Sequence, residues 1–241
     1  QDRVGAIEQA IEKYQQKYLR FKVAPVAEAR KIKQAIGYYT RDGVTFLGTT
    51  LPKKVAGEVL TAYYDINPYY VDNLDREVVA EFIRVTHQHY YENLPKKLLK
   101  HLRGIFTDEP QLSRNGLVWS LVLPAAYQEK YGVDLLPQLP ALEFDLPWSG
   151  EVRVRFWSLV AEMFNENFMK QIRQWCDKHK WMITGHHVLE EWLNEQIPAN
   201  GTVMSQYQYY NIPGIDHLCR TLPSTLAQIQ LVSAAAQFGQ K

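Results

Sequence analysis

The sequence predicts an α/β fold, a (β/α)8 TIM-barrel-like arrangement of which this chain carries an incomplete part. Three observations point there. A short apolar run that stops at ionisable or amide residues and then gives way to a helical pattern recurs along the chain, through Ala62, Asp108, His186 and Gln206. Alternating strand and helix patterns build parallel sheets with right-handed crossovers, which bring the carboxyl ends of the strands to one side. The length, 241 residues, is about that of one such barrel. Only about four or five strands can be read, fewer than the eight that closure needs, so the barrel is expected to be partial. Residues 1–50 read as an amino-terminal helical region and hairpin leading into it, and 51–241 as the partial barrel itself.

The elements follow in order. Ile7, Ile11, Tyr14 and Tyr18 stand at helical spacing within Val4–Leu19, and Ala29, Ile32 and Ile36 continue an amphipathic helix from Ala24. With no initiating Met, the true start is expected upstream. Arg41-Asp42-Gly43, between Tyr39 and Val44–Leu47, reads as a hairpin turn, because Asp-Gly tolerates the positive φ such turns require. Val55–Tyr64 reads as a strand leading to an aromatic loop, Asn67-Pro68-Tyr69-Tyr70. Asp75 is a good amino-terminal cap for a helix carrying Val78, Phe82, Val85 and His89. A short helix, Lys96–Arg103, feeds the stretch around which the chain is organised.

That stretch is Leu102–Leu112. Its apolar run, Gly104–Phe106, stops at two adjacent carboxylates, Asp108 and Glu109, and Pro110 ends any strand because it has no N–H to donate. In a parallel barrel, polar residues just after a buried apolar run lie at the active-site end. The plainer alternative is a surface turn, since acid-Pro pairs commonly punctuate loops. Ser113–Ser120 then reads as loop, and Leu123–Tyr131 as a helix closed by Gly132. Three prolines make Asp134–Ser149 an irregular crossover; Trp148 either overhangs the site or anchors the loop. Glu151–Lys180 is the longest helical pattern, its face of Phe156, Leu159, Val160, Met163, Phe164, Phe168, Ile172 and Trp175 read as core.

Trp181–Thr184 repeats the logic of the first site, a short apolar strand followed by Gly185, His186, His187, Glu190 and Glu191. If helical, His186 and Glu190 share one face, four residues apart. Such a pair binds a metal less often than it orients a side chain, and the His-Glu-x-x-His pattern of zinc peptidases is missing, so no metal ligands are assigned. Of Glu190 and Glu191 only one can face a cleft from a helix. Thr202–Tyr210, with alternating Gln and Tyr, reads as the next strand, and 211–217 as the loop after it, offering Asp216 and His217. Ser224 caps a final helix, Thr225–Phe238.

Composition excludes some functions. With 27 basic against 26 acidic residues and a net charge of +1, the chain has no field to attract nucleic acid or an anionic membrane. No segment is apolar over the length a bilayer requires. Cys176 and Cys219 read as reduced structural thiols. Fifteen Tyr and six Trp supply rings suited to stacking on a sugar face.

At this point the residues carry a resemblance. Gly104–Pro110, Trp119-Ser120, Tyr131–Leu135, Thr184-Gly185-His186 with Glu190-Glu191, and Ile212–His217 resemble large bacterial glycoside hydrolases near the α-L-rhamnosidase family, whose catalytic barrel is flanked by β-sandwich sugar-binding domains. The likeness runs from about Leu51 to Lys241. It implies an oligosaccharide or polysaccharide substrate of plant or bacterial origin, a calcium ion held by oxygen ligands, and a periplasmic or secreted setting. In such relatives the helix resembling Ser233–Gly239 precedes a strand ending in Ser-Glu, which this chain stops short of.

The chemistry agrees with that expectation. Cleaving a glycosidic bond takes one carboxylic acid to protonate the leaving oxygen and a second carboxylate to activate water or attack the anomeric carbon. Glu109, beside Asp108, is the expected acid and Glu190 its expected partner, with Glu191 close behind. His186 is expected to hold a substrate hydroxyl or orient a carboxylate; Tyr64, Trp148 and Tyr207 to contact the sugar; Asp216 and His217 to line the rim. Two other classes stay open: a barrel that binds carbohydrate without cleaving it, and a metal-assisted barrel hydrolase.

Overall fold

The computed structural model describes residues 11–113, 116–216 and 225–240. They fall into two compact units. One is drawn from residues up to Gln15, Pro68–Arg114 and Val160–Lys241, the other from Gln16–Asn67 and Asn115–Leu159.

The second unit holds a five-stranded sheet. Its strands are β1 (Gln15–Pro25), β2 (Ala35–Thr40), β3 (Phe46–Gly48), β4 (Glu58–Val71) and β6 (Leu117–Trp119), in the order β3-β2-β4-β1-β6. The pairs β1–β6, β2–β3 and β2–β4 run antiparallel. The Asp-Gly turn between β2 and β3 forms as expected. Gly43 takes φ 76°, and the Asp42 carboxylate accepts from the Thr40 hydroxyl at 2.6 Å and the Val44 amide at 3.1 Å, an Asx-type turn. Tyr39, Leu60 and Trp119 are buried in this unit, and the Tyr39 hydroxyl donates to the Leu136 carbonyl at 2.5 Å.

The first unit carries a smaller sheet of three parallel strands, β5 (Gly104–Asp108), β7 (Met182–His186) and β8 (Ile212–Pro213), in the order β5-β7-β8. Gly104 pairs with Met182 and Asp108 with His186, so both strands end level. The helix Arg76–Ile83 starts where Asp75 accepts hydrogen bonds from the amides of Glu77 and Val78, as its cap residue predicts. The long helical pattern is continuous through Ser149–Met163, a π-helical turn at Phe164–Met169 and Lys170–Lys178.

The barrel expectation is therefore corrected: the structure is a mixed α/β arrangement of an antiparallel sheet and a short parallel one, and among the described residues no barrel closes. The run around Ala62, read as a barrel strand, pairs antiparallel with β2 instead. Other local readings change as well. Residues 15–25 are a strand, not helix, because Leu19, Phe21 and Val23 alternate with Arg20 and Lys22 at the two-residue period of a strand. The expected loop at 113–120 contains β6, and only Val26–Ala29 is helical in 24–35. The expected strand at 202–210 is helical at Met204–Tyr207, where Gln206, Tyr207 and Tyr210 are buried at helical rather than strand spacing. Asn67–Tyr70 is not a loop but the end of β4. Among the described residues no helix is long and apolar enough to cross a membrane. Cys176 is a free, buried thiol pushed up to about 12 by desolvation; Cys219 and Ser224 lie outside the described residues.

Candidate functional site

Three strand ends in the first unit deliver the ionisable residues. β5 finishes at Asp108, and the next residue, Glu109, takes φ 46° before Pro110, a left-handed conformation that a non-glycine residue holds only where its surroundings impose it. β7 finishes at Gly185-His186. A Cβ at Gly185 would stand 2.1 Å from the Thr107 carbonyl oxygen, so only glycine lets β7 approach β5 closely enough to set His186 beside Asp108. The His186 Nε2 lies 3.2 Å from the Asp108 carboxylate, and the Phe106 ring packs edge-on at 5.5 Å. The Nδ1 of His186 is buried and has no hydrogen-bond partner among the described residues. β8 leads through Gly214 to Asp216.

Glu190 ties these ends together. After β7, residues 188–191 form a turn rather than a helix, with Leu189 at φ 53°. The turn is held from behind by the helix Leu193–Asn200: Gln196 donates to the Glu190 carbonyl at 2.7 Å and Asn200 to the Val188 carbonyl at 2.6 Å. The buried Glu190 carboxylate accepts from the Asp216 amide at 2.6 Å, the Tyr207 hydroxyl at 3.3 Å and the His187 amide at 3.4 Å. Burial raises its pKa to about 7, against the opposing pull of those two amides. His187 is buried between the rings of Tyr207 and Tyr210, at 5.3 and 5.5 Å, and desolvation keeps it neutral, with a pKa of about 3.

One ligand-capable atom each of Glu109, His186 and Asp216 lies within 4.8 Å of the other two. Two carboxylates and an imidazole, each from a different strand end, thus converge on one point. Such a set can exchange protons with a bound group, hydrogen-bond hydroxyls or hold a cation. Beside it opens a cavity of about 280 Å3, bordered by Asp108 and Glu109 and walled by Phe82, His87, Phe106 and Phe168.

Of the residues singled out from the sequence, Asp108, Glu109, His186, Glu190, Tyr207 and Asp216 are brought together. Glu190 and Tyr207 are buried beneath the cluster rather than exposed in it. Glu191 is the half-buried residue after Glu190. Tyr64, buried in β4, and Trp148, partly exposed before the helix at Ser149, belong to the second unit. His217 lies outside the described residues. Sequence reasoning did not single out His87, Gln196 or Asn200. A polar residue inside an otherwise apolar helical face is the one signal that could have marked His87.

No protein-family model matches the sequence, and no curated protein does. Among solved structures, the chain is similar in fold to a rhamnosidase from Novosphingobium sp. PP1Y, with a TM-score of 0.57 and 20% sequence identity. The match covers 80% of this chain and 20% of the rhamnosidase, so the chain spans a small part of that protein's length, and at this identity the likeness is one of fold.

Proposed function

We propose that this chain is part of a glycoside hydrolase acting on a neutral oligosaccharide or polysaccharide, with an α-L-rhamnoside as the first substrate to test. The observation that carries the reading is the convergence of Glu109 and Asp216, from the ends of two strands, on His186. Glycoside cleavage asks for two carboxylates flanking one bond, and these two face the same point. Glu109 gives its proton to the glycosidic oxygen as the bond to the anomeric carbon breaks. Asp216 is the second carboxylate, attacking that carbon or taking the proton of the incoming water. His186, oriented by Asp108, holds a sugar hydroxyl. Glu190, rather than entering the cleft, fixes Asp216 through its backbone amide. The fold likeness to a rhamnosidase supports the substrate choice.

The calcium ion that the resemblance implies does not fit this cluster beside acid catalysis: its oxygen donors would be Glu109 and Asp216, and a carboxylate that ligates calcium has no proton to give to a glycosidic oxygen. A second reading, a metal-assisted hydrolase, is favoured by the same three side chains, because one imidazole with two carboxylates is a donor set divalent transition ions take.

Hydrolysis of an aryl α-L-rhamnoside and of a panel of other glycosides tests both, on this chain and on a longer one. Glu109→Gln is expected to lower kcat by about 10²- to 10⁴-fold with an unchanged circular dichroism spectrum. Activity that survives the substitution would remove Glu109 as the acid, and binding without turnover would make the chain a carbohydrate-binding module. Activity is expected to survive chelation; its loss on chelation and restoration by zinc or manganese would favour the metal-assisted reading.

A further inference from the structure

We propose that the cavity beside Glu109 is a subsite for a neutral aromatic ring bearing a hydroxyl, a phenol-like group, and that His87 is the residue that recognises the hydroxyl. The identification of that ring with the leaving group of a glycoside rests on the function proposed above; the preference of the cavity does not.

Its walls are aromatic. Phe82 and Phe168 lie stacked at 6.3 Å with 30° between their planes, and Phe164 backs Phe168 at 5.2 Å. Phe106 and Ile172 extend this apolar wall, Asn73 and Thr107 adding polar groups to the lining, around a space of about 280 Å3, room for one substituted ring. Among the described residues no Lys or Arg lines the cavity, whereas Asp108 and Glu109 border it. An anionic group entering it would meet two carboxylates at its border, which disfavour it, and an apolar wall that strips its hydration.

His87 has a tautomer that the hydrogen bonds around it decide. The Thr86 hydroxyl gives its one hydrogen to the Phe82 carbonyl at 2.5 Å. The 2.8 Å contact between Thr86 Oγ1 and His87 Nδ1 must then be a donation from Nδ1–H. Nε2 is left as a bare acceptor, the sole polar atom the ring can offer the cavity. The ring packs edge-on against Phe82 at 5.6 Å and Trp175 at 5.4 Å, and burial pushes its pKa down to about 4. At neutral pH it accepts a hydrogen bond from a hydroxyl and offers no charge to a carboxylate.

The test is ligand-observed NMR titration of the 241-residue chain with phenol, toluene and benzoate. Ligands of this size bind in the millimolar range. Phenol is expected to bind about tenfold more tightly than toluene, and benzoate more weakly than either. His87→Phe is expected to bring phenol and toluene to within about twofold of each other, and Phe168→Ala to weaken both. Equal binding of benzoate and phenol, no binding of phenol, or an unchanged phenol-to-toluene ratio in the His87→Phe chain would each overturn the proposal. Phenol binding that follows this pattern, in a chain that cleaves no aryl glycoside, would uphold the subsite and sink the hydrolase reading instead.

Discussion

Glu190 is a buried ionisable side chain and His87 a partly buried one, and desolvation moves them in opposite senses. Desolvation disfavours the charged form of each, so the imidazole falls from 6.5 to about 4 and the carboxyl rises from 4.5 to about 7. The consequences for stability follow from which state binds the extra proton. Unfolded His87 binds a proton below pH 6.5 that the folded form refuses until about pH 4, so the stability it supports is present at neutral pH and is lost as the pH falls through that window. Glu190 acts the other way, its contribution being lost as the pH rises from about 4.5 to about 7. The two slopes oppose each other in the wild-type chain, and a single variant separates them. His87→Phe, denatured with urea at pH 4.5 and pH 7, is expected to gain stability relative to wild type at the lower pH by up to about 3 kcal/mol. An equal difference at both values would mean that His87 is not held neutral. At this scale the sequence was informative about Asp108, Glu109 and Asp216, because a carboxylate after an apolar run marks itself. It carried only a weak signal for His87, a polar residue on a helical face, because the chemistry of that ring depends on a hydroxyl next door and on the Trp175 ring far along the chain.

The short strands β5 and β7 were legible because each is a compact apolar run ended by glycine, histidine or acid. The 202–210 segment was misread because Tyr and Gln alternate at a two-residue period in Gln206-Tyr207-Gln208-Tyr209. Packing overrode that pattern: Gln206 is fully buried and bonds to the Asn200 carbonyl, and Tyr207 reaches Glu190. Local alternation is a weak signal beside a buried polar network that must be satisfied. What brings β5 and β7 together is more exacting. Gly185 takes φ 154° and stands over Thr107 with no room for a Cβ. Gly185→Ala is therefore expected to part the two strand ends, lowering stability by more than about 2 kcal/mol in thermal unfolding. It should also abolish the 3.2 Å Asp108–His186 contact, readable as changed chemical shifts of the His186 ring in NMR. A variant with wild-type stability and unchanged His186 ring shifts would show that the backbone contact does not set the site.

The barrel was expected from repetition, and repetition is a local property, whereas closure depends on which strands pair across long separations. Apolar runs ending in polar residues recur in both units, yet one sheet is antiparallel and built partly on a hairpin, and the other has three parallel strands. Nothing in a run of five apolar residues states the direction of its neighbour, so pattern alone assigned all of them to one sheet. Net charge, by contrast, belongs to the whole chain and is read directly. With 27 basic and 26 acidic residues, the chain has no long-range field to steer a charged partner. The proposed substrate is neutral and the cavity walls are apolar, so recognition depends on hydrogen bonds and ring contacts that salt hardly screens. Substrate affinity, followed as KM for a neutral aryl glycoside, is accordingly expected to change less than about twofold between ~20 mM and ~500 mM sodium chloride. A polyanionic ligand would behave differently, since each phosphate or carboxylate neutralised by the protein releases counterions and its affinity falls steeply with salt. A KM that rises steeply over the same range would mean that the substrate is anionic, and would turn the search from the carboxylate cluster toward the basic residues of the surface.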